Sequence, residues 1–268
     1  MQSIPLKDIC SFLEDIAPLR FQESYDNAGL ITGDPEMQIT GAMIALDALP
    51  EVIEEAIETN CNMVISHHPL VFRGIKKFNP HYYVDKGVIL ALKHDIALYA
   101  IHTNLDNVLS DGVNQKIGNM LGLQDISILR PHPSAHMETS YHVGSGIKGR
   151  LPEEMATESF IEYLKERLQL KVIRHTNLIG PIRKVAVCGG AGSFLLNDAI
   201  KAGMDCFITA DMKYHEFFDA NSAITIFDIG HYESEYFTIQ LLHRLISNKF
   251  HNFAAHCTKV NTNPVFYS

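Results

Sequence analysis

Apolar residues along this chain alternate between short unbroken runs and runs spaced for one face of a helix. The runs at 42–46, 63–65, 96–101, 185–188, 205–209 and 224–229 read as strands, that of 63–65 as a buried one. Helical spacing falls between them. Ile9, Phe12, Leu13 and Ile16 share one face, with Ser3 as the expected cap, and Val52, Ile53, Ala56 and Ile57 share another, with Pro50 in the first turn. Further helices are expected over 88–94, 113–121, 152–168 and 194–201. A last one carries Phe237, Leu241 and Leu245 on one face and Glu235 in its first turn. The two prolines of 130–134 predict a loop or crossing, and short strands are expected at 140–143, 146–151 and 170–175.

The pattern repeats. An offset of 143 residues carries Val52, Ile53 and Ile57 onto Leu195, Leu196 and Ile200, and the runs 42–46 and 63–66 onto 185–189 and 206–209, without a gap. An offset of 129 lays the third runs together and sets His102-x-x-x-Asp106 on His231-x-x-x-Glu235. Most strand–helix–strand units look alike, but a matching turn, helix face and third-strand histidine argue for duplication. The expected fold is α/β: two similar α/β domains related by internal duplication. Residues 1–126 plus 230–268 form the first domain and 127–229 the second, with strand ends and a metal site in the cleft between them.

The candidate chemistry sits at the ends of these strands, where open α/β sheets place their ligands. Three runs deliver His67 and His68, His102 and Asp106, and His231 and Glu235. Imidazole and carboxylate are the usual ligands of catalytic divalent metals. Each has an ordinary alternative: histidines bonded to loop backbone, Asp106 as a turn or cap residue, Glu235 as a partner of a helix dipole. Six candidates exceed the three ligands of a mononuclear catalytic zinc, so two divalent ions are expected, with Asp106 or Glu235 as bridging anions. Lys213 is a candidate anion-holding residue, and His215 and His102 are candidate general acids or bases. The turn from Gly189 to Ser193 lacks the spacing of a dinucleotide or P-loop motif and reads equally as a tight βα connection.

Composition narrows the class. The 268 residues are 46% apolar, enough for a full core, and carry a net charge of −9 with no basic stripe, which disfavours nucleic acid as a steady partner. The N-terminus lacks a signal peptide's charged and apolar regions, and no run is long enough to cross a bilayer, so a cytoplasmic protein is expected. The five cysteines, at 10, 61, 188, 206 and 257, form no CxxC pair and read as reduced thiols rather than ligands.

Five segments occur in an order that resembles the Nif-three-like proteins, also called GTP cyclohydrolase I type 2 homologs. They are Tyr25 to Leu30, Ser66-His67-His68-Pro69, His102 to Asp106, Thr209 to His215 and Gly230 to Glu235. The resemblance spans nearly the whole chain. It implies two similar α/β domains, a dinuclear metal site and a ring-shaped homohexamer. The implied metal ligands are His67, His68, Asp106, His231 and Glu235, with His102 beside them. Tyr25 stands where the family often has tryptophan and Ala210 where it often has glycine. The stretch 126–142 is too short for the extra domain that longer members carry there. The metal could be Zn, Fe, Mn, Co or Ni. Two functions fit. One is a metal-dependent hydrolase acting on a nucleotide or another small phosphorylated or cyclic substrate. The other is a non-catalytic metal-binding or regulatory ring protein that recruits partners.

Overall fold

The computed structural model describes residues 3–135 and 141–268. His136, and Ser140 at the start of the expected strand 140–143, lie outside them. In chain order the elements begin β1 (Ile4–Pro5), α1 (Leu6–Ile16), β2 (Gly29–Thr32), β3 (Gln38–Ile39) and β4 (Gly41–Asp47). They continue with α2 (Pro50–Glu58), β5 (Met63–His68), α3 (Tyr83–Lys93), β6 (Ala97–Ala100), α4 (Thr103–Asp106) and α5 (Val113–Met120). Next come β7 (Gln124–Pro131), β8 (Gly144–Met155), α6 (Thr157–Leu168), β9 (Arg174–His175) and β10 (Ile182–Ala191). The chain ends with α7 (Leu196–Lys201), β11 (Cys206–Ala210), β12 (Thr225–Asp228), α8 (His231–Glu235), α9 (Thr238–Lys249) and β13 (Ala254–Cys257). Contacts divide these into two compact units, Met1–Leu105 with Phe237–Pro264, and Asp106–Tyr236 with Val265–Ser268.

The first unit is built on a five-stranded sheet in the order β13-β4-β5-β6-β2. Its first four strands run parallel, and β2 closes the edge antiparallel to β6. Residues 41–46 of β4 and 63–67 of β5 are buried without interruption, which is why these strands read as continuous apolar runs. The fully buried Val52, Ile53 and Ala56 of α2 pack against Met43, Ala45, Val64 and Leu98. Burial of side chains such as Val52 and Ile53 stabilises the fold by about 1.5–3 kcal/mol each. Helix α9 packs on β13, β4 and β5.

The second unit is built on a six-stranded sheet in the order β7-β8-β10-β11-β12-β9. Its three central strands are parallel, and its outer pairings are antiparallel. Within it the register of the first unit recurs. Ala42 pairs with Met63 in one sheet and Val185 with Cys206 in the other, at the 143-residue offset read from the sequence. The core recurs as well: Leu195, Leu196 and Ala199 pack with Ala186, Cys188, Phe207 and Ile226, the counterparts of the first unit's cluster.

Several local expectations change. Pro5, not Ser3, precedes α1, because Ile4 and Pro5 pair with Ile39 and Gln38. The loop expected over 130–134 starts two residues later, because Arg130 and Pro131 close β7 (Gln124–Pro131), a strand at the sheet edge where Pro131 withholds no needed hydrogen bond. Pro152 falls inside β8, so the helix expected from 152 begins at Thr157. The third strands align at 128 residues, since Ser66 pairs with Ala100 and Thr209 with Asp228. One additional residue, Gly230 at φ 88°, then precedes His231.

Candidate metal centre

In the first unit the pairing of β5 with β6 brings their C-terminal ends level, and Ile101 N–H donates to the Ser66 carbonyl at 2.9 Å. His67 and His68 are the last two residues of β5, and His102 follows β6 directly. Their rings cluster, with centroids 5.0 Å apart for His67–His68 and 5.3 Å for His102 with each of them. His67 is fully buried.

Each ring is held by its Nδ1. That of His67 lies 2.7 Å from the Ile101 carbonyl, which can only accept, so Nδ1 carries the proton. That of His68 lies 2.7 Å from Asp47 Oδ1, whose other oxygen accepts from the Thr262 hydroxyl. That of His102 lies 2.8 Å from Asp26 Oδ1. Burial works to raise the Asp26 pKa, but the bonds from His102, Thr103 and Asn27 outweigh it and lower it to about 2. Burial of Asp47 is likewise outweighed, chiefly by His68, and its pKa is lowered. The carbonyl and the ionised carboxylates accept, so each of the three rings donates its Nδ1–H to its anchor.

The second unit repeats this device. Ile229 N–H donates to the Thr209 carbonyl at 2.9 Å, levelling the ends of β11 and β12. Asp211, the counterpart of His68, accepts from His231 Nδ1 at 2.8 Å, and His231 Nε2 lies 3.0 Å from Glu235 Oε2. Burial works to lower the His231 pKa, but the bonds to Asp211 and Glu235 raise it to about 11. Glu235 is only 2% exposed. It closes α8 rather than opening the following helix, so a favourable helix dipole does not account for it. Asp106 closes α4, and its carbonyl accepts from the Asn114 side chain. Burial pushes the Cys188 thiol above its usual range, and the charges of Asp106 and Glu235 add to that, so both carboxylates act on one neighbourhood of this unit.

The glycine turn after β10 supplies the seat of α8. Gly190 N–H donates to Ser234 Oγ, which donates to the His231 carbonyl. Gly189 N–H donates to Asn114 and Gly192 N–H to Thr209. Those amides are spent inside the fold, so the turn is not an open phosphate cradle. A β-carbon on Gly190, at φ +61°, would meet Glu235 Oε1 at 2.4 Å and His231 Cε1 at 3.4 Å.

This donor set fits a borderline or hard divalent ion. Imidazoles anchored through Nδ1 by a carbonyl or a carboxylate are the usual support of such a centre. His67, His68 and Glu235 make up a group that could hold a metal ion. Lys213 and His215, by contrast, are exposed: Lys213 N–H donates to Glu216, and the His215 ring meets Tyr214 edge-on and stacks on Phe218. The link from their segment to His231 is Asp211. The anchors Asp26, Asp47 and Asp211 carry no assigned role in the sequence reading, although Asp47 ends β4 and Asp211 directly follows β11, the rule that singled out the histidines. The five cysteines are free thiols, four of them buried. Among the described residues no helix is long and apolar enough to cross a membrane.

Comparison with known proteins adds four findings. The family model Duf34/NIF3 (NGG1p interacting factor 3) matches residues 4–264. A Clostridium acetobutylicum protein named GTP cyclohydrolase 1 type 2 homolog is 35% identical over 251 residues, 93% of this chain and 92% of its own. A solved structure of a Staphylococcus aureus hypothetical protein superposes with a TM-score of 0.90 at 29% identity. A Bacillus cereus protein related to NIF3 does so with 0.89 at 25%, each covering 100% of both chains.

Proposed function

This chain belongs to the DUF34/NIF3 family, and from that premise we propose that it is a metal-dependent hydrolase acting on a nucleotide or another small phosphorylated or cyclic compound. The observation that carries the reading is the common anchoring of four imidazoles, His67, His68, His102 and His231, each through Nδ1 to a fixed oxygen acceptor. Building one such ring into a fold is ordinary. Four of them, with the buried Glu235 carboxylate, are the support a divalent centre requires. The name of the Clostridium relative points toward a purine nucleotide.

In this reading His67, His68, Asp106, His231 and Glu235 hold two divalent ions. When bound, the ions supply Lewis acidity and offset developing negative charge. The chain's own residues do the rest. Asp26 fixes the His102 ring so that its Nε2 can take up or return a proton. Asp211 fixes His231 in the same way. Lys213, exposed beside this segment, offers a point charge to an anionic substrate. A ring of six copies belongs to the same proposal, and sedimentation of the purified protein tests it.

The deciding experiment reconstitutes the protein with Zn, Mn, Fe, Co or Ni and screens turnover of nucleotides and phosphoesters, with Glu235→Ala in parallel. Turnover that depends on metal and on Glu235 supports the hydrolase. Stoichiometric metal with no turnover in any class replaces it with a metal-binding ring protein.

A further inference from the structure

The segment that follows His68 departs from the rest of the chain in charge and in exposure. From Pro69 to Val84 it holds Arg73, Lys76 and Lys77 and no acidic residue, in a protein of net charge −9. Among the described residues no ion pair involves those three cations, whereas Lys7, Lys86, Arg150 and Lys165 each have a carboxylate partner. Phe72 is 47% exposed and Phe78 56%.

These rings are not outside for want of a core. Val71 and Ile75, from the same segment, pack against the first unit's apolar cluster and line a cleft of about 280 Å³ with Leu30, Ile31 and Val88. The segment is pinned at both ends: Asn27 Nδ2 donates to the Val71 carbonyl, and Asn79 N–H donates to Asp85. Val71 and Ile75 thus face inward while Phe72, Phe78 and the three cations are exposed. Phe72 also meets the imidazole cluster, its ring edge-on to His102 with centroids 5.6 Å apart and planes at 84°.

We infer that the segment Phe72–Lys77 is the element that recognises an anionic, planar-ringed ligand, a nucleoside polyphosphate, with Phe72 stacking on the base beside His102 and Arg73, Lys76 and Lys77 receiving the phosphates. An exposed aromatic ring offers a stacking surface to any base. Three clustered cations with no carboxylate among them match a polyphosphate chain better than a neutral nucleoside, and guanidinium and ammonium groups are the usual phosphate partners. The inference rests on the nucleotide-directed reading above, so binding and turnover are measured separately.

The test is equilibrium binding of GTP, guanosine and inorganic triphosphate to the full chain, metal-free and metal-loaded, by titration calorimetry. The combined variant Arg73→Ala, Lys76→Ala, Lys77→Ala is expected to weaken GTP and triphosphate by at least tenfold and to flatten the salt dependence of binding. Phe72→Ala is expected to weaken GTP severalfold and to leave triphosphate unchanged. All four positions are exposed, and circular dichroism with thermal melting confirms folding. Lys171→Ala, exposed on the second unit, serves as the charge control and is expected to bind as wild type.

Wild-type GTP affinity in the triple variant overturns the inference. So does a Phe72→Ala variant that loses its oligomeric state while binding GTP normally, which marks the ring as an interface between copies. Tighter binding of a short single-stranded oligonucleotide than of GTP also overturns it. GTP binding that depends on the segment without turnover by the metal-loaded protein leaves the inference standing and removes the hydrolase reading. Turnover with unchanged KM in the loop variants does the reverse.

Discussion

The Glu235 carboxylate fills the space that a β-carbon on Gly190 would need, 2.4 Å from Oε1. Two constraints meet at that glycine. Its φ of +61° is left-handed, which costs an L-residue about 1–2 kcal/mol, and its missing side chain leaves room for a buried acid. Gly190→Ala is therefore expected to lower Tm by several degrees and to displace Glu235. Metal content by elemental analysis beside a thermal melt reads both effects, and an alanine variant with full metal and unchanged Tm would show that the contact does not position the acid.

Asp47 and Asp211 hold His68 and His231 from behind without serving as donors in the proposed centre. Replacing either by asparagine keeps shape and removes charge, and asparagine tolerates the φ of 55° at position 211. Each variant is expected to bind Zn about 10–100-fold more weakly, while Tm of the metal-free protein changes little for the half-exposed Asp211. Competition titration against a chelating dye measures the change. Wild-type affinity in both would mean that the rings need no support.

Much of this arrangement was legible in the chain because burial imposes it. The strands carrying His67, His102 and His231 are enclosed on both faces, so they appear as unbroken apolar runs, and a polar residue at their ends stands out. The duplication was legible for the same reason: Val52, Ile53 and Ala56 and their counterparts Leu195, Leu196 and Ala199 fill equivalent cores. Less visible were elements that bury little. Strand β7 is mostly exposed, so it has no apolar alternation, and its last residue, Pro131, reads with Pro133 as part of a loop. Asp26 could not be placed by pattern, since it reaches His102 from 76 residues away. The place of Glu235 at the end of α8 follows from the break between α8 and α9, which the continuous apolar face across Phe237, Leu241 and Leu245 conceals.

The raised pKa of His231 gives the metal-free protein a pH signature. Burial opposes its charge, but Asp211 and Glu235 lift the value from 6.5 to about 11. Stability from this charged ring is fully present below about pH 6.5 and is lost as pH rises through about 11. Asp26 has the opposite sign: its stabilisation is present above its ordinary value of 3.8 and is lost as pH falls through about 2. Metal binding at His231 Nε2 must displace the proton, so apparent affinity is expected to rise about tenfold per pH unit across the neutral range, less any buffer competition. Proton release in calorimetry run in two buffers checks this. A pH-independent affinity would take His231 out of the ligand set.

Charge also separates the ligands from one another. Glu235 and Asp106 are the anions of the proposed ligand set, while His67 contributes a neutral donor. Glu235→Ala leaves two cations less well neutralised, so it is expected to lose one metal while the fold persists. His67→Ala is expected to retain more metal than Glu235→Ala, despite the cavity it opens at a fully buried position. Elemental analysis of each variant after equilibration with equal free Zn, paired with thermal melting, compares the two. Equal losses would show that donor number rather than charge governs retention, and unchanged stoichiometry in Glu235→Ala would remove that carboxylate from the centre.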